Sequence, residues 1–253
     1  MPLYIVSTPI GNLADITARA SKILADCGSI LAEDTRTSRK LLTHLGITTP
    51  MTAYHDFNKE KVTPAIISSL KDGKEIALIT DAGTPGVADP AFYITRAAIA
   101  EGIPVIPIPG ASAFLAALVA SGLPTDRFIF ENFLPNKSAQ RRKLFESLKA
   151  EPRTMIFYET PHRIIKTLED IRDTLGSVRV VIARELTKIH EEFLRGSAEE
   201  LLAHFATHPP KGEMVVLFNT RIASMKGTMP IILEGTRPLT GPALPNLLMR
   251  SKC

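Results

Sequence analysis

Short apolar runs alternate with segments of helical period through most of the chain, and that alternation predicts an α/β fold. Residues 3–6 (Leu-Tyr-Ile-Val) end at turn residues, and Ile16, Ala20, Ile23, Leu24 and Cys27 then recur at helical spacing behind Asp15, a candidate N-cap. The pattern returns as a strand over 29–32 with a helix over 37–45, and as a strand over 76–79 before the cap pair Asp89-Pro90. It returns again as a strand over 105–108 leading into a helix over 111–121. A largely parallel sheet with helices on its faces is expected. The helix over 111–121 is apolar almost all round (Phe114, Leu115, Leu118, Val119), which predicts burial rather than an amphipathic surface position.

Gly122 and Pro124 stop that helix, and a fresh alternation follows: strand 128–131, helix 138–150, strand 154–158, then a helix opening at Thr160-Pro161 with Ile164, Ile165, Leu168, Ile171 and Leu175 on one face. Strands over 178–183 and 214–218 complete it. The expected organisation is an N-terminal α/β domain over 1–122, a second α/β domain over 123–220, and an irregular tail over 221–253. In that tail Gly227, Pro230, Gly235, Pro238, Gly241, Pro242 and Pro245 interrupt any regular element.

With 253 residues, 45% of them hydrophobic, the chain buries a large core as one long domain or two shorter ones. No run approaches the roughly 20 apolar residues that span a bilayer, and Asp15 and Arg19 come too early for a signal-peptide core, so a soluble, cytoplasmic protein with no membrane partner is expected. Cys27 and Cys253, the only cysteines, make neither a disulfide framework nor a zinc cluster, and no metal is expected. A formal charge of +4 is too mild by itself to imply nucleic acid. Its distribution says more. Lys137, Arg141, Arg142 and Lys143 cluster without an acid, Arg36, Arg39 and Lys40 follow Glu33-Asp34, and after Thr220 come Arg221, Lys226, Arg237, Arg250 and Lys252 against Glu234 alone. The first two clusters read either as phosphate contacts or as solvated helix faces.

Three Gly/Pro-rich loops directly follow predicted strands of the first unit: residues 7–12 (Ser-Thr-Pro-Ile-Gly-Asn), 81–86 (Asp-Ala-Gly-Thr-Pro-Gly) and 109–113 (Pro-Gly-Ala-Ser-Ala). Carboxyl ends of parallel strands are where open α/β sheets collect ligands, and such loops suit a small polar cofactor, with Pro9, Gly11 and Gly83 among the candidate binding positions. There is no G-x-G-x-x-G after a strand and no G-x-x-x-x-G-K-[ST], which argues against NAD and ATP. The stretch His190-Glu191-Glu192-Phe193-Leu194 begins like a zinc helix but has Leu where the second His belongs, so a metal protease is rejected.

At these loops the sequence resembles the ribosomal RNA small subunit methyltransferase I family of the tetrapyrrole methylase superfamily. The resemblance is carried by Tyr4 through Leu13, by Ala32-Glu33-Asp34-Thr35-Arg36, by Thr80-Asp81-Ala82-Gly83-Thr84-Pro85, by Phe157-Tyr158-Glu159 with His162-Arg163, by Ala183 through Lys188, and by Lys211-Gly212-Glu213-Met214. It covers residues 3 to about 219 in one order. Superfamily members acting on tetrapyrroles tend to read G-x-G-P-G-D and G-G-D-P at the first two loops, where this chain departs from them.

The resemblance implies two α/β domains with a cofactor cleft between them, S-adenosyl-L-methionine as methyl donor, a cytidine 2′-hydroxyl of small-subunit ribosomal RNA or of the 30S particle as acceptor, and a homodimer. It implies cofactor contacts at Ile10, Thr80, Asp81, Ala82, Pro85, Ser112, Ala113, Tyr158 and Leu186. Beyond Thr220 the family usually continues into a helical segment that this tail does not match, which leaves the tail's role open.

In-line transfer from a sulfonium needs a positioned hydroxyl and a group that removes its proton. Glu33, Asp34, Asp81, Glu185 and Lys188 lie at or just after predicted strand ends near the loops and are the candidates. Each has a structural alternative, Asp34 as a partner of Arg36 and Glu185 as a partner of Lys188. Arg163, beside His162 at a helix start, is a candidate RNA or cofactor contact, and Tyr54 and Phe57 either stack on bases or pack locally. The competing functions are a methylase of a small tetrapyrrole-like substrate and a non-catalytic RNA-binding assembly factor.

Overall fold

Strand β1 (Leu3–Val6) lies between β4 (Ile76–Ile79) and β5 (Val105–Ile108) in a parallel sheet whose other members are β2 (Ser29–Ala32) and the edge strand β3 (Met51–Ala53). The order is β3-β2-β4-β1-β5. These are features of a computed structural model that describes residues 1–223. β2 and β4 are buried at every position, as continuous apolar runs in the middle of a doubly covered sheet must be. Helices α1 (Ala18–Asp26) and α2 (Thr35–His44) pack Leu24 and Leu42 against Val6, Ile30 and Ile79 on one face. On the other face α3 (Lys59–Lys71) and α4 (Ala91–Ala100) pack Ile66, Leu70 and Ile94 against Leu3, Leu31 and Leu78.

The second sheet runs β6-β7-β10-β8-β9 and is mixed. β6 (Phe128–Phe133) and β7 (Thr154–Glu159) are parallel, whereas β10 (Met214–Ala223) is antiparallel to both β7 and β8 (Val178–Arg184), and β8 is antiparallel to β9 (Glu192–Gly196). The expected largely parallel arrangement therefore applies to the first sheet only. Residues 185–191, which join β8 to β9, are too few for the crossover that a parallel neighbour requires.

One face of this sheet is covered by α6 (Ser138–Leu148), α7 (Ile164–Leu175) and α8 (Ala198–Thr207), through Phe145, Leu168, Ile171, Leu201 and Phe205. The other face is covered by α5 (Ala113–Ser121), whose Ala117 and Leu118 pack on Ile156, Val181, Val215 and Leu217. A boundary after residue 122 thus separates α5 from the sheet on which it packs. The helix is not buried all round either: Leu115 is 47% and Val119 69% exposed.

Several elements differ from the sequence expectation for local reasons. Thr17, not Asp15, caps α1 by accepting from the Ala20 N–H at 3.0 Å, and Asp34 caps α2, which starts at Thr35. β3, α3, β9 and α8 were not expected. β3 has three residues, and α3 carries Pro64 in its interior, which masks its period. Glu192-Phe193-Leu194 lies in β9, in keeping with the rejected zinc-helix reading of that stretch. α8 did carry a sign, the capping box of Ser197 and Glu200, with bonds of 2.7 and 3.2 Å. Arg221–Ala223, expected in the tail, extends β10, and residues 224–253, with Lys226, Arg237, Arg250 and Lys252, lie outside the described residues. No helix among the described residues is long and apolar enough to cross a membrane.

A candidate methyl-donor cleft between the two sheets

The strand order sets the loops after β4, β1 and β5 side by side, and they are stitched together. Thr8 and Gly83 exchange backbone hydrogen bonds of 2.8 and 3.1 Å, and the Thr8 hydroxyl donates to the Thr80 carbonyl at 3.2 Å. The Thr84 hydroxyl donates to the Ala111 carbonyl at 3.1 Å and lies 2.9 Å from Ser7 Oγ, so it ties the outer two loops together. A Cβ at Gly110 would come within 2.8 Å of Ser7 Cβ, and Gly83 sits at φ +85°. Glycine is needed at both, for close approach at the first and for left-handed backbone at the second.

The opposite wall comes from the second sheet. Residues 185–188 turn back tightly, with Glu185 and Thr187 at φ +50° and +66°, a region that non-glycine residues enter at a cost. The turn is held by the Lys188 ammonium, 3.0 Å from Glu185 and 3.1 Å from Glu213. Gly11 of the first loop closes on it, since a Cβ there would meet Lys188 Cγ at 2.6 Å. A bulge between Phe130 and Phe133, with Asn132 at φ +61°, turns Phe133 against Tyr158 (centroids 5.5 Å apart), and Phe130 meets the same ring at 4.9 Å.

Between the walls is a cleft of ≈ 480 Å³. Of the residues proposed for the cofactor, Ile10, Thr80, Asp81, Ala82, Gly83, Ser112, Ala113, Tyr158 and Leu186 line it, and Glu33, Glu185 and Lys188 line it among the proposed acid–base groups. Pro9, Gly11 and Pro85 are not among its lining residues; their part is to shape the loops. Asp34 lines a neighbouring hollow instead, and the Arg36 guanidinium 2.9 Å away, with the Arg36 N–H, holds its carboxyl at about 2. Val87, Ala88, Asp89, Phe133, Thr160, Pro161, Met214 and Val215 were not proposed. Thr160-Pro161 and the stretch 211–214 had stood out only as a helix start and a motif, and the position of Phe133 depends on the bulge.

Acidic groups dominate the lining: Glu33, Asp81, Asp89, Glu159, Glu185 and Glu213 face Lys188 alone among the described residues. Burial, more than anything, pushes the Asp81 carboxyl up; a hydrogen bond from the Asp34 N–H at 3.1 Å works against this, while the charges of Glu33 and Asp34 add to it. Glu33 is itself fixed by the Thr80 hydroxyl at 2.8 Å. For Lys188, burial works against the charged form, but the two flanking carboxylates outweigh it and raise its pKa.

Two expected RNA contacts are corrected. Arg141 is 2% exposed and pairs with Asp170 at 2.5 Å inside the second unit, so its guanidinium cannot reach a phosphate. Arg163 is half-buried and spends its guanidinium on Asn136 Oδ1 (2.6 Å), the Leu134 carbonyl (2.5 Å) and Glu159 (3.2 Å). Arg142 is half-exposed but turned onto Asp170 and Asp173. Arg36, Arg39, Lys40, Lys137 and Lys143 are exposed. Tyr54 is buried and unavailable for stacking, whereas Phe57 is exposed.

The profile of the family described as Tetrapyrrole (Corrin/Porphyrin) Methylases matches residues 2–202. A protein of Synechocystis named ribosomal RNA small subunit methyltransferase I is 50% identical to this chain, over 85% of it and 77% of the relative. One of the same name from Halalkalibacterium halodurans is 48% identical over 92% of this chain and 75% of the relative. Among solved structures, a cobalt precorrin-4 methyltransferase of cobalamin biosynthesis superposes with a TM-score of 0.65 at 18% identity, covering 86% of this chain and 94% of that one.

Proposed function

The chain belongs to the tetrapyrrole methylase family, and from that premise we propose that it is an S-adenosylmethionine-dependent enzyme that methylates a cytidine 2′-hydroxyl of small-subunit ribosomal RNA in the cytoplasm. The observation that carries this reading is near 50% identity, over at least 85% of the chain, to proteins named for small-subunit ribosomal RNA methylation. The cleft suits the donor. Ile10, Ala82, Leu186, Met214 and Val215 give an apolar slot for adenine, and the start of α5, where Ser112 makes no side-chain cap bond, leaves N–H groups for a carboxylate. The excess of carboxylates complements a sulfonium and an ammonium group.

When bound, the cofactor supplies a methyl group already activated by positive sulfur. The chain's part is to exclude water, fix the hydroxyl in line and accept its proton. Asp81 is the proton acceptor in this reading, because it lines the cleft and its proton affinity is raised. Glu33 supports it by charge, and Lys188 stays protonated between Glu185 and Glu213. Arg36, Arg39 and Lys40 on α2, beside the Glu33-Asp34 strand end, face phosphates of the acceptor, and Lys137, Arg142 and Lys143 extend the basic surface. Nucleoside mass spectrometry of small-subunit RNA is expected to show 2′-O-methylcytidine lost on deletion of the gene and restored by its return. Unchanged methylation in the deletion strain rules the assignment out.

The reading includes a homodimer, supported by exposed apolar side chains on α4 (Phe92 69%, Ile99 63%) and α5 (Leu115 47%, Val119 69%). Light scattering is expected to give twice 27.6 kDa for the wild type and a monomer for Val119→Glu. A monomeric wild type removes the dimer from the proposal.

A further inference from the structure

The rim that carries the cleft continues past it. Along the C-terminal edge of the first sheet, the loops after β4, β1 and β5 line the main cleft, the loop after β2 brings Glu33 and Asp34, and the loop after β3 comes next. There a hollow of ≈ 390 Å³ is walled by Glu33, Asp34, Arg36, His55 and Phe57, and it adjoins the cleft through Glu33, which lines both.

Phe57 is 98% exposed, although folding ordinarily hides much of a phenyl ring. Its loop is locked in place. Tyr54 at one end is 1% exposed, with its hydroxyl 3.4 Å from Thr63 Oγ1. At the other end, the His55 N–H donates to Asn58 Oδ1 at 2.9 Å, and Asn58 Nδ2 donates to the Ala53 carbonyl at 3.0 Å. The His55 ring lies 6.1 Å from the Phe57 ring, and its Nδ1 is buried with no hydrogen-bond partner. The Arg36 side chain, 91% exposed, stands at the same hollow. A lone exposed phenylalanine needs no explanation. One on a fixed loop, beside an imidazole ring and a guanidinium, on the rim of a nucleic-acid-modifying cleft, has the parts of a base-stacking platform.

We propose that this hollow is a nucleobase subsite: an unpaired base flanking the methylated nucleotide stacks on Phe57, with its phosphate toward Arg36. This rests on the RNA-methylating reading above. It makes the loop after β3 a recognition element for single-stranded RNA.

The chain has no tryptophan, so Phe57→Trp places a single fluorescent indole at the subsite. Adding a single-stranded RNA oligonucleotide that spans the methylated site is expected to quench its emission. Phe57→Ala is expected to bind S-adenosylmethionine as the wild type does and to raise the particle KM about 5- to 150-fold, the range for loss of one base–aromatic stack. An unchanged KM in Phe57→Ala with unquenched emission in Phe57→Trp, while the wild type still methylates particles, overturns the subsite and leaves the methyltransferase reading intact. A wild type that does not methylate small-subunit RNA overturns both.

Discussion

The Asp170→Ala variant is expected to unfold with about 3–5 kcal/mol less stability than the wild type at neutral pH, the cost of removing one partner from a buried ion pair. Asp170, on α7, forms an ion pair with Arg141 of α6 at 2.5 Å and accepts from Arg142 at 2.5 Å and from the Ser138 hydroxyl at 2.8 Å, while the Asp170 and Arg141 side chains are only 3% and 2% exposed. Without the carboxylate, the Arg141 guanidinium is left charged and nearly dry, and the α6–α7 contact holds that charge. A urea midpoint at pH 7 measures the loss, and a change below about 1 kcal/mol, the level of an exposed pair, would contradict it.

The same pair sets a pH dependence. Burial is the largest single influence on Asp170 and raises its pKa, but hydrogen bonds from Arg142 and Ser138 and the Arg141 charge together bring the carboxyl below its usual range. A depressed folded-state pKa contributes stability that is fully present above the unfolded value of about 3.9 and is lost as pH falls through the lower, folded value. Wild-type stability therefore falls on acidification through that window. Asp170→Asn, which cannot titrate, should start lower and show a flatter acid limb in midpoints taken at successive pH values.

Replacing Asp81 with Asn is expected to lower kcat by about 10²- to 10⁴-fold, the usual contribution of a positioned general base. The rate should rise with pH as Asp81 ionises and then level off. Because the Glu33 charge helps to raise the Asp81 pKa, Glu33→Gln should move the acid limb of the kcat/KM profile to lower pH. A merely structural Glu33 would lower the rate without moving that limb. An Asp81→Asn enzyme near the wild-type rate would remove Asp81 from the role.

Much of the donor site is legible in the chain because turn chemistry is local. A strand ending in Thr8-Pro9-Ile10-Gly11, in Ala82-Gly83-Thr84-Pro85 or in Gly110-Ala111-Ser112 declares a loop through its own prolines and glycines, and a parallel sheet brings such loops to one edge. Opposite them, Tyr158 and Leu186 were accessible only through the resemblance, whereas Glu185 and Lys188 stood out as ionisable groups just after a predicted strand end. Phe133 was accessible through neither, because a bulge and a left-handed Asn132 aim it, and a one-residue change in pairing sends a strand side chain to the opposite face.

The basic cluster at 137–143 shows the limit most clearly. As a charge pattern it reads as a phosphate-binding face, yet Arg141 points inward, where the Asp170 carboxylate on the neighbouring helix and the Pro135 and Asn136 carbonyls make its burial tolerable. Hydrophobic period and turn residues, which act over a few neighbouring positions, were enough to determine the alternating architecture and the loops of the first unit, and the motif stretches carried the resemblance to the family. Which sheet α5 covers, which arginines are structural, which carboxylate has its proton affinity raised, and how Phe57 comes to stand beside the cleft were decided only in the tertiary structure. Burial and electrostatics at those positions depend on groups far away in sequence, and only the packed fold specifies those distances.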